Sequence, residues 1–221
     1  MASTQPATVT PMSETSPPMP DPRTVWEGRY GSTAEFVYGT DPNDFLAEVA
    51  PDLASGDTLC LADGEGRNGV YLAELGHRVT SVDLTEAGMA KAAALATERG
   101  VNLTTVVADL ADYNLGIDRW DLVVSIFAHT PPPTRRRIHC ALATALRPGG
   151  RLILEAYTPN QIGRGTGGPP VPELTMDLAR LDEELVGLEF EHRAEFVRSV
   201  IEGPGHTGDG AVVQVIARRP G

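Results

Sequence analysis

Thr58-Leu59-Cys60-Leu61-Ala62-Asp63-Gly64-Glu65-Gly66-Arg67-Asn68-Gly69 is the stretch that decides the fold. Its first half is a short apolar run, long enough for a buried strand and too short for a helix. Its second half carries three glycines, which let the backbone turn sharply and come close to a ligand without a Cβ in the way. Beyond it, residues 67–75 place Val70, Leu72 and Leu75 at helical spacing. Strand, glycine turn and helix in that order open an α/β unit. In such a sheet the turn lies at the carboxyl end of a strand, where ligands bind.

Working outward, the alternation continues. Residues 78–82 read as a second strand, 85–98 as an Ala-rich helix and 103–107 as a third strand. Trp120 to Phe127 (WDLVVSIF) is a strongly apolar fourth strand. A helix over about 134–146 stops at Arg147-Pro148-Gly149-Gly150, and 151–157 form a fifth strand. Strands separated by helices pair in parallel through right-handed crossovers. The end of the chain breaks this rhythm. Residues 158–172 (TPNQIGRGTGGPPVP) read as a long loop able to close over a site, and 174–184 as a helix. Strands near 188–196 and 211–217 follow with only a Gly-rich link, 203–210, between them, which predicts an antiparallel hairpin at one sheet edge.

Upstream, residues 1–22 hold six prolines among Ser, Thr and Ala and predict a flexible tail. Residues 23–40 concentrate Trp26, Tyr30, Phe36 and Tyr38, suited to cover a pocket or pack on the core. Asp41 with Pro42 predicts the start of a helix through Phe45, Leu46 and Val49. The expected organisation is therefore a tail and one domain over 23–221, with a cofactor half at about 57–157 and a lid and hairpin over 158–221.

Composition narrows the function. The net charge of −12 disfavours a phosphate-backbone partner. The run Arg135-Arg136-Arg137 reads as a solvated helix face. No apolar run approaches the roughly 18 residues of a membrane span. No secretory leader pattern is evident, and two cysteines, Cys60 and Cys140, build no disulfide framework. A cytoplasmic protein acting on a small molecule, without nucleic acid, membrane or metal, is expected.

Three positions define a slot shaped for a nucleoside. Asp83 ends the second strand, where a carboxylate can accept both ribose hydroxyls, although the same residue, or Thr85, can cap the next helix. Asp109 follows the third strand within reach of an adenine amino group, and Leu110 beside it can cover the ring. Gly64, Gly66 and Gly69 also spell the dinucleotide pattern G-x-G-x-x-G, so an NAD(P)-dependent oxidoreductase is one alternative. A non-catalytic cofactor-binding protein is another. Against the first stands the terminal hairpin, which takes the place of a second mononucleotide-binding half.

The order of these features resembles the class I S-adenosylmethionine-dependent methyltransferases: glycine loop, Asp83, Asp109, WDLVVS, then LRPGG before strand five. WEGRYG (26–31), YGTDPNDFL (38–46) and GEGRN (64–68) are similar to the branch of tellurite-resistance and thiopurine-type methyltransferases. The resemblance implies a Rossmann-like doubly wound sheet of seven strands, the last antiparallel. It implies S-adenosylmethionine as cofactor, S-adenosylhomocysteine as product, and a sulfur, selenium or tellurium nucleophile or another small metabolite as acceptor. The backbone of 62–66, with Arg67 and Asn68 following it, would hold the methionine end. Asp83 and Leu84 would hold the ribose, Asp109 and Leu110 the adenine. Phe127 and Ala128 would line the site of transfer.

Cys60 stands where the family commonly has an acid, and Ala62 replaces its first glycine. Asp63 is offset by three positions from that acid. Alanine is compatible with the loop if its φ is negative.

Methyl transfer from a sulfonium is an in-line displacement that needs a base only if the acceptor must lose a proton. His129, directly after strand four, is the first candidate base, and His206 in the hairpin link the second. Tyr30 and Tyr38 would wall the acceptor pocket together with His129. Glu155 and Tyr157 are read as facing opposite sides of strand five, and Arg198 and Glu202 as surface charges.

Overall fold

The strand predicted at 58–62 forms as β1 (Asp57–Leu61) and lies in the middle of a seven-stranded sheet. The structure, a computed structural model, describes residues 20–203 and 206–221, so nearly all of the expected tail lies outside the described residues. β1 pairs in parallel with β2 (Arg78–Asp83) on one side and β4 (Trp120–Ile126) on the other. Beyond them stand β3 (Leu103–Val107) and β5 (Leu146–Tyr157), also parallel. The order is β3-β2-β1-β4-β5-β7-β6. The chain reverses direction of travel between β1 and β4, which opens a crevice at their carboxyl ends.

β1 is apolar throughout because both faces are covered. Leu59 and Leu61 join one cluster with Val123, Leu152 and Leu154, packed under α5 (Pro132–Ala145) through Ile138 and Leu142. Cys60 joins the other with Leu72 of α3 (Arg67–Glu74), Val79 and Ile153. Alternate residues thus serve opposite layers. α4 (Glu86–Arg99) packs against β3 and β2. Thr85 is its N-cap and accepts from the Gly88 amide, which leaves Asp83 free of that duty.

Before the sheet come α1 (Pro22–Gly31) and α2 (Asp44–Val49). The expected start of α2 at Asp41-Pro42 is corrected: Asn43 is its cap, its Oδ1 accepting from the Leu46 amide.

The terminal hairpin is longer than expected. β6 (Glu189–Glu202) and β7 (His206–Arg218) pair without a helix between them, and the register runs up to Glu202 opposite His206. Most of the link predicted at 203–210 is therefore strand. Pairing satisfies its backbone groups, and Gly210 is needed beside Tyr157, where a Cβ would sit 3.0 Å from the ring. β5 stops at Tyr157, opposite Val212, so the hairpin tip continues past the carboxyl edge of the sheet and over the crevice.

The basic run is also corrected. Arg135 is buried, and its guanidinium forks onto Glu184 of α6 (Leu178–Glu184) at 3.0 Å, where His139 Nδ1 also meets Glu184 at 2.8 Å. Arg137 donates to the Leu110 and Tyr113 carbonyls. Arg136 and Arg137 are exposed, as expected of a solvated helix face, and Arg135 alone is buried.

This buried group makes a pH prediction. Burial alone would raise the Glu184 pKa, but His139 and Arg135 hold it at about 2, below its ordinary 4.5. A depressed carboxylate stabilises fully above its unfolded pKa and loses that contribution as pH falls through the folded one. Urea midpoints of the wild type should therefore fall steeply between about pH 5 and pH 2. Glu184→Gln should be less stable by about 3–5 kcal/mol at neutral pH, because Arg135 is left buried and uncompensated, and should lose most of that slope.

Candidate functional site

A cavity of about 840 Å³ lies over the carboxyl edge of the sheet. Its floor is the loop after β1. Gly64 has φ +57°, and its amide donates to Asp83 Oδ2 at 3.0 Å. A side chain there would meet the Tyr30 hydroxyl at 2.6 Å, so glycine is required for both conformation and space. Ala62 does not meet the condition expected of it. Its φ is +49°, in the left-handed region that glycine favours, as is that of Phe127 at the end of the neighbouring β4, at +51°.

Asp83 is buried, and both carboxylate oxygens are oriented by the protein. Oδ1 accepts from the Thr85 amide at 3.0 Å and its hydroxyl at 2.7 Å, while Oδ2 accepts from Gly64. Burial raises its pKa and these bonds oppose the rise. Oδ2 retains a lone pair on a group that lines the cavity, while Oδ1 is filled by its two bonds from Thr85. Leu84, Asp109 and Leu110 line the same end. Asp109 Oδ1 accepts from the Ala111 amide at 2.8 Å, which fixes the turn and the direction of its carboxylate.

The missing acid of the glycine loop is not replaced. Cys60 is fully buried, and burial drives its thiol pKa well up. Asp63 Oδ2 accepts from the Ser81 hydroxyl at 2.5 Å, and burial pushes its pKa up to about 7. It braces β1, β2 and α3.

Arg67 and Asn68 line the cavity, and each has a polar group held by a protein partner. Arg67 pairs with Glu202 at 2.5 Å, and Asn68 Oδ1 accepts from the Asn43 amide at 2.9 Å. Asn43 in turn donates to Glu202 at 2.7 Å. Arg198 pairs with Glu155 at 2.7 Å and Glu202 at 3.1 Å. Glu202 is thus buried and Arg198 partly so, each held by ion pairs and neither a free surface charge. Glu155 and Tyr157 share one face of β5, since residues two apart on a strand point the same way. Glu65, unassigned from sequence, fastens the 37–38 segment over the site: its Oε2 accepts from the Val37 amide at 2.8 Å and its Oε1 from Lys91. Only its place within GEGRN marked it.

Aromatic residues close the other end. Tyr30 is buried, and Trp26 lies 5.5 Å from Tyr30 and 6.3 Å from Tyr38, centroid to centroid. Arg29 lies over Trp26 and donates to the Tyr38 hydroxyl at 2.9 Å. Phe127 stacks on Tyr157 at 4.6 Å. Gly167 to Pro170 of the predicted lid line the cavity, held by Gln161, which donates to the Gly167 carbonyl, and by Thr166, which donates to the Asp209 carbonyl.

The two histidines differ sharply. His129 Nδ1 lies 2.8 Å from the Leu174 carbonyl, and its Nε2 accepts from the Tyr157 amide at 3.3 Å. Burial drops its pKa to about 4. A ring that donates at one nitrogen and accepts at the other has no lone pair left for an acceptor proton. Its geometry braces the loop after β4 against the lid. His206, at the tip of β7, packs 4.6 Å from Tyr38 and 5.0 Å from Phe127, and its Nδ1 has no partner among the described residues.

Comparison with known proteins agrees with this architecture. Residues 58–150 match the family model of the methyltransferase domain. Uncharacterized proteins of Mycobacterium tuberculosis and Mycobacterium bovis are 30% identical over 158 residues, 68% of this chain and 55% of theirs. The chain thus spans about half the length of the curated relatives it matches. A structure described as the conversion of a disulfide bond into a thioacetal group during echinomycin biosynthesis superposes with a TM-score of 0.72 at 22% identity, covering 89% of this chain and 91% of that one. TehB from Haemophilus influenzae gives 0.65 at 21%, covering 88% and 67%. Magnesium protoporphyrin IX methyltransferase from Synechocystis PCC 6803, with bound SAH, gives 0.57 at 20%, covering 79% and 78%. The chain has the Rossmann-like fold of these neighbours, and its residues 58–150 are similar to a methyltransferase domain. No helix among the described residues is long and apolar enough to cross a membrane.

The left-handed Ala62 yields a stability prediction. Relief of about 1–2 kcal/mol of backbone strain, offset by the extra unfolded-state entropy of glycine, should make Ala62→Gly more stable by about 0.5–1 kcal/mol in urea unfolding. A loss of stability would mean that Ala62 is not held at positive φ.

Proposed function

We propose, from the premise of a class I methyltransferase domain, that the protein transfers the methyl group of S-adenosylmethionine to a small-molecule nucleophile. The observation that carries the reading is Asp83: a buried carboxylate at the end of β2, oriented by Gly64 and Thr85 and open to the cavity. Such a group, with Oδ2 free to accept, suits a ribose hydroxyl. Asp109 would receive the adenine amino group, and Leu110 would lie on the ring. The left-handed turns at Ala62 and Phe127 would flank the sulfonium, with Ala128 beside them. The cavity is large enough for the cofactor and a modest acceptor together, since ligand sites commonly run from about 300 to 1,000 Å³.

S-adenosylmethionine, when bound, supplies an activated methyl group and leaves as a neutral thioether. The chain has only to align the acceptor and keep water out. Tyr30 and Tyr38 would wall the acceptor, with Gly167 to Pro170 as cover. A sulfur, selenium or tellurium nucleophile is the acceptor class we favour, in keeping with the sulfur chemistry named for the echinomycin neighbour. Arg67 would act on the cofactor through the shape of the loop, because its guanidinium is paired with Glu202, and Asn68 would tie the loop to Asn43 through its Oδ1. The dinucleotide alternative is weakened by the antiparallel hairpin, which occupies the sheet edge where a second nucleotide-binding half would pair.

Calorimetric titration tests this reading. S-adenosylmethionine and S-adenosylhomocysteine should bind, and NAD should not. Asp83→Ala should weaken both by about 10–100-fold, the loss of a hydrogen bond to a charged acceptor worth about 1.5–3 kcal/mol. Binding of NAD alone would overturn the proposal in favour of the oxidoreductase.

A further inference from the structure

The acceptor end of the cavity is rich in π-faces. Three cations line the cavity. Arg67 is paired with Glu202, while Arg23 and Arg29 bind only neutral acceptors, the Leu84 carbonyl and the Tyr38 hydroxyl. The other walls include Trp26, Tyr38, Phe127, Pro169 and Pro170. Among them His206 Nδ1 is a buried polar atom without a partner among the described residues, on a side chain more than nine-tenths buried.

The placement of His206 is built, not incidental. It faces Glu202 across the first register pair of the β6–β7 hairpin, and Glu202 is locked to Arg67 of the glycine loop and to Asn43. The ring is therefore fixed to the loop that would hold the cofactor. Tyr38, Phe127 and Tyr157 enclose it, the last edge-on at 5.3 Å. Burial lowers its basicity most, to a pKa of about 4. Arg67, His129 and Arg29 act in the same direction, and Glu202 opposes them. At neutral pH the ring is thus uncharged and keeps a lone pair.

We infer that His206 is the proton acceptor of the reaction, and that the methyl acceptor enters with a dissociable S–H or O–H still in place. This rests on the methyl-transfer reading. In the step, the X–H bond breaks, its proton passing to the His206 imidazole and its electron pair forming the new bond from X to the methyl carbon. The pair of the broken sulfur–methyl bond stays on sulfur. The imidazolium then returns its proton to solvent.

The test uses the whole chain and two probes of very different acidity, benzenethiol and phenol. Calorimetry first establishes S-adenosylhomocysteine binding. Its absence would sink the methyl-transfer reading, and this inference with it. In the loaded protein both probes should bind. His206→Ala and His206→Asn, each checked for wild-type S-adenosylhomocysteine affinity, should lower turnover of phenol with S-adenosylmethionine by about 10²–10⁴. Turnover of benzenethiol should fall far less at a pH where that thiol is ionised and phenol is not. Refusal of phenol by the wild type, equal loss for both acceptors at that pH, or no loss for either, would overturn the inference.

Discussion

The site depends on one buried ion pair, Arg67 with Glu202. Around it Asn43, Glu155, Arg198 and Gln214 form a network that balances two guanidinium groups against two carboxylates. A buried network of this kind contributes little net stability compared with apolar packing, because desolvation offsets most of the attraction. Its value is in what it fixes. Arg67 comes from the glycine loop, Asn43 from the cap of α2, Glu155 from β5, and Arg198 and Glu202 from the hairpin. Four separate parts of the chain meet at one cluster, and any other register of β6 on β7 would leave a charge unpaired.

Strain is placed at the same edge of the sheet. Ala62 and Phe127 leave neighbouring strands β1 and β4 with positive φ, at the point where the topology opens the crevice. Such conformations persist only when the surroundings over-determine them. For Phe127 the surroundings are the stack on Tyr157 and the bond from its amide to the Glu155 carbonyl at 2.7 Å. For Ala62 they are the amide of Asp63, bonded to the Val82 carbonyl, and the packing of β1 itself. The loop shape is therefore imposed by the sheet, which explains how the fold tolerates alanine where the family commonly has glycine.

The central sheet was legible because strands covered on both faces must be apolar, and β1, β2 and β4 carry that signature without interruption. The glycine loop and Asp83 were legible for a local reason too: their roles follow from position at a strand end. The hairpin was not. Most of β6 is exposed, and Glu195, Arg198 and Glu202 interrupt its pattern, so its true length is set by pairing with β7 and by contacts to residues far away in sequence. The same cause misplaced Arg135, Arg198 and Glu202, since a charge reads as solvated until its partner is known. His129 looked the better base by its position after strand four. Two backbone groups, the Leu174 carbonyl and the Tyr157 amide, decide otherwise, and backbone partners leave no trace in side-chain patterns.

The contrast between the two histidines joins fold to chemistry. Both are buried and both are held uncharged by desolvation. One has spent its two nitrogens on the backbone and so anchors the segment that leads from the lid to α6. The other is held by its strand and by the stacking of three aromatic rings, and its Nδ1 makes no bond within the described residues. A buried polar atom without a partner is costly, and a native fold retains one where a ligand or water completes it. The hairpin reaches beyond the sheet edge by just the residues needed to bring that atom over the crevice. The extra length of β6 and β7 is best understood as the support of a functional group, with the ion pair beneath it setting where that group stands.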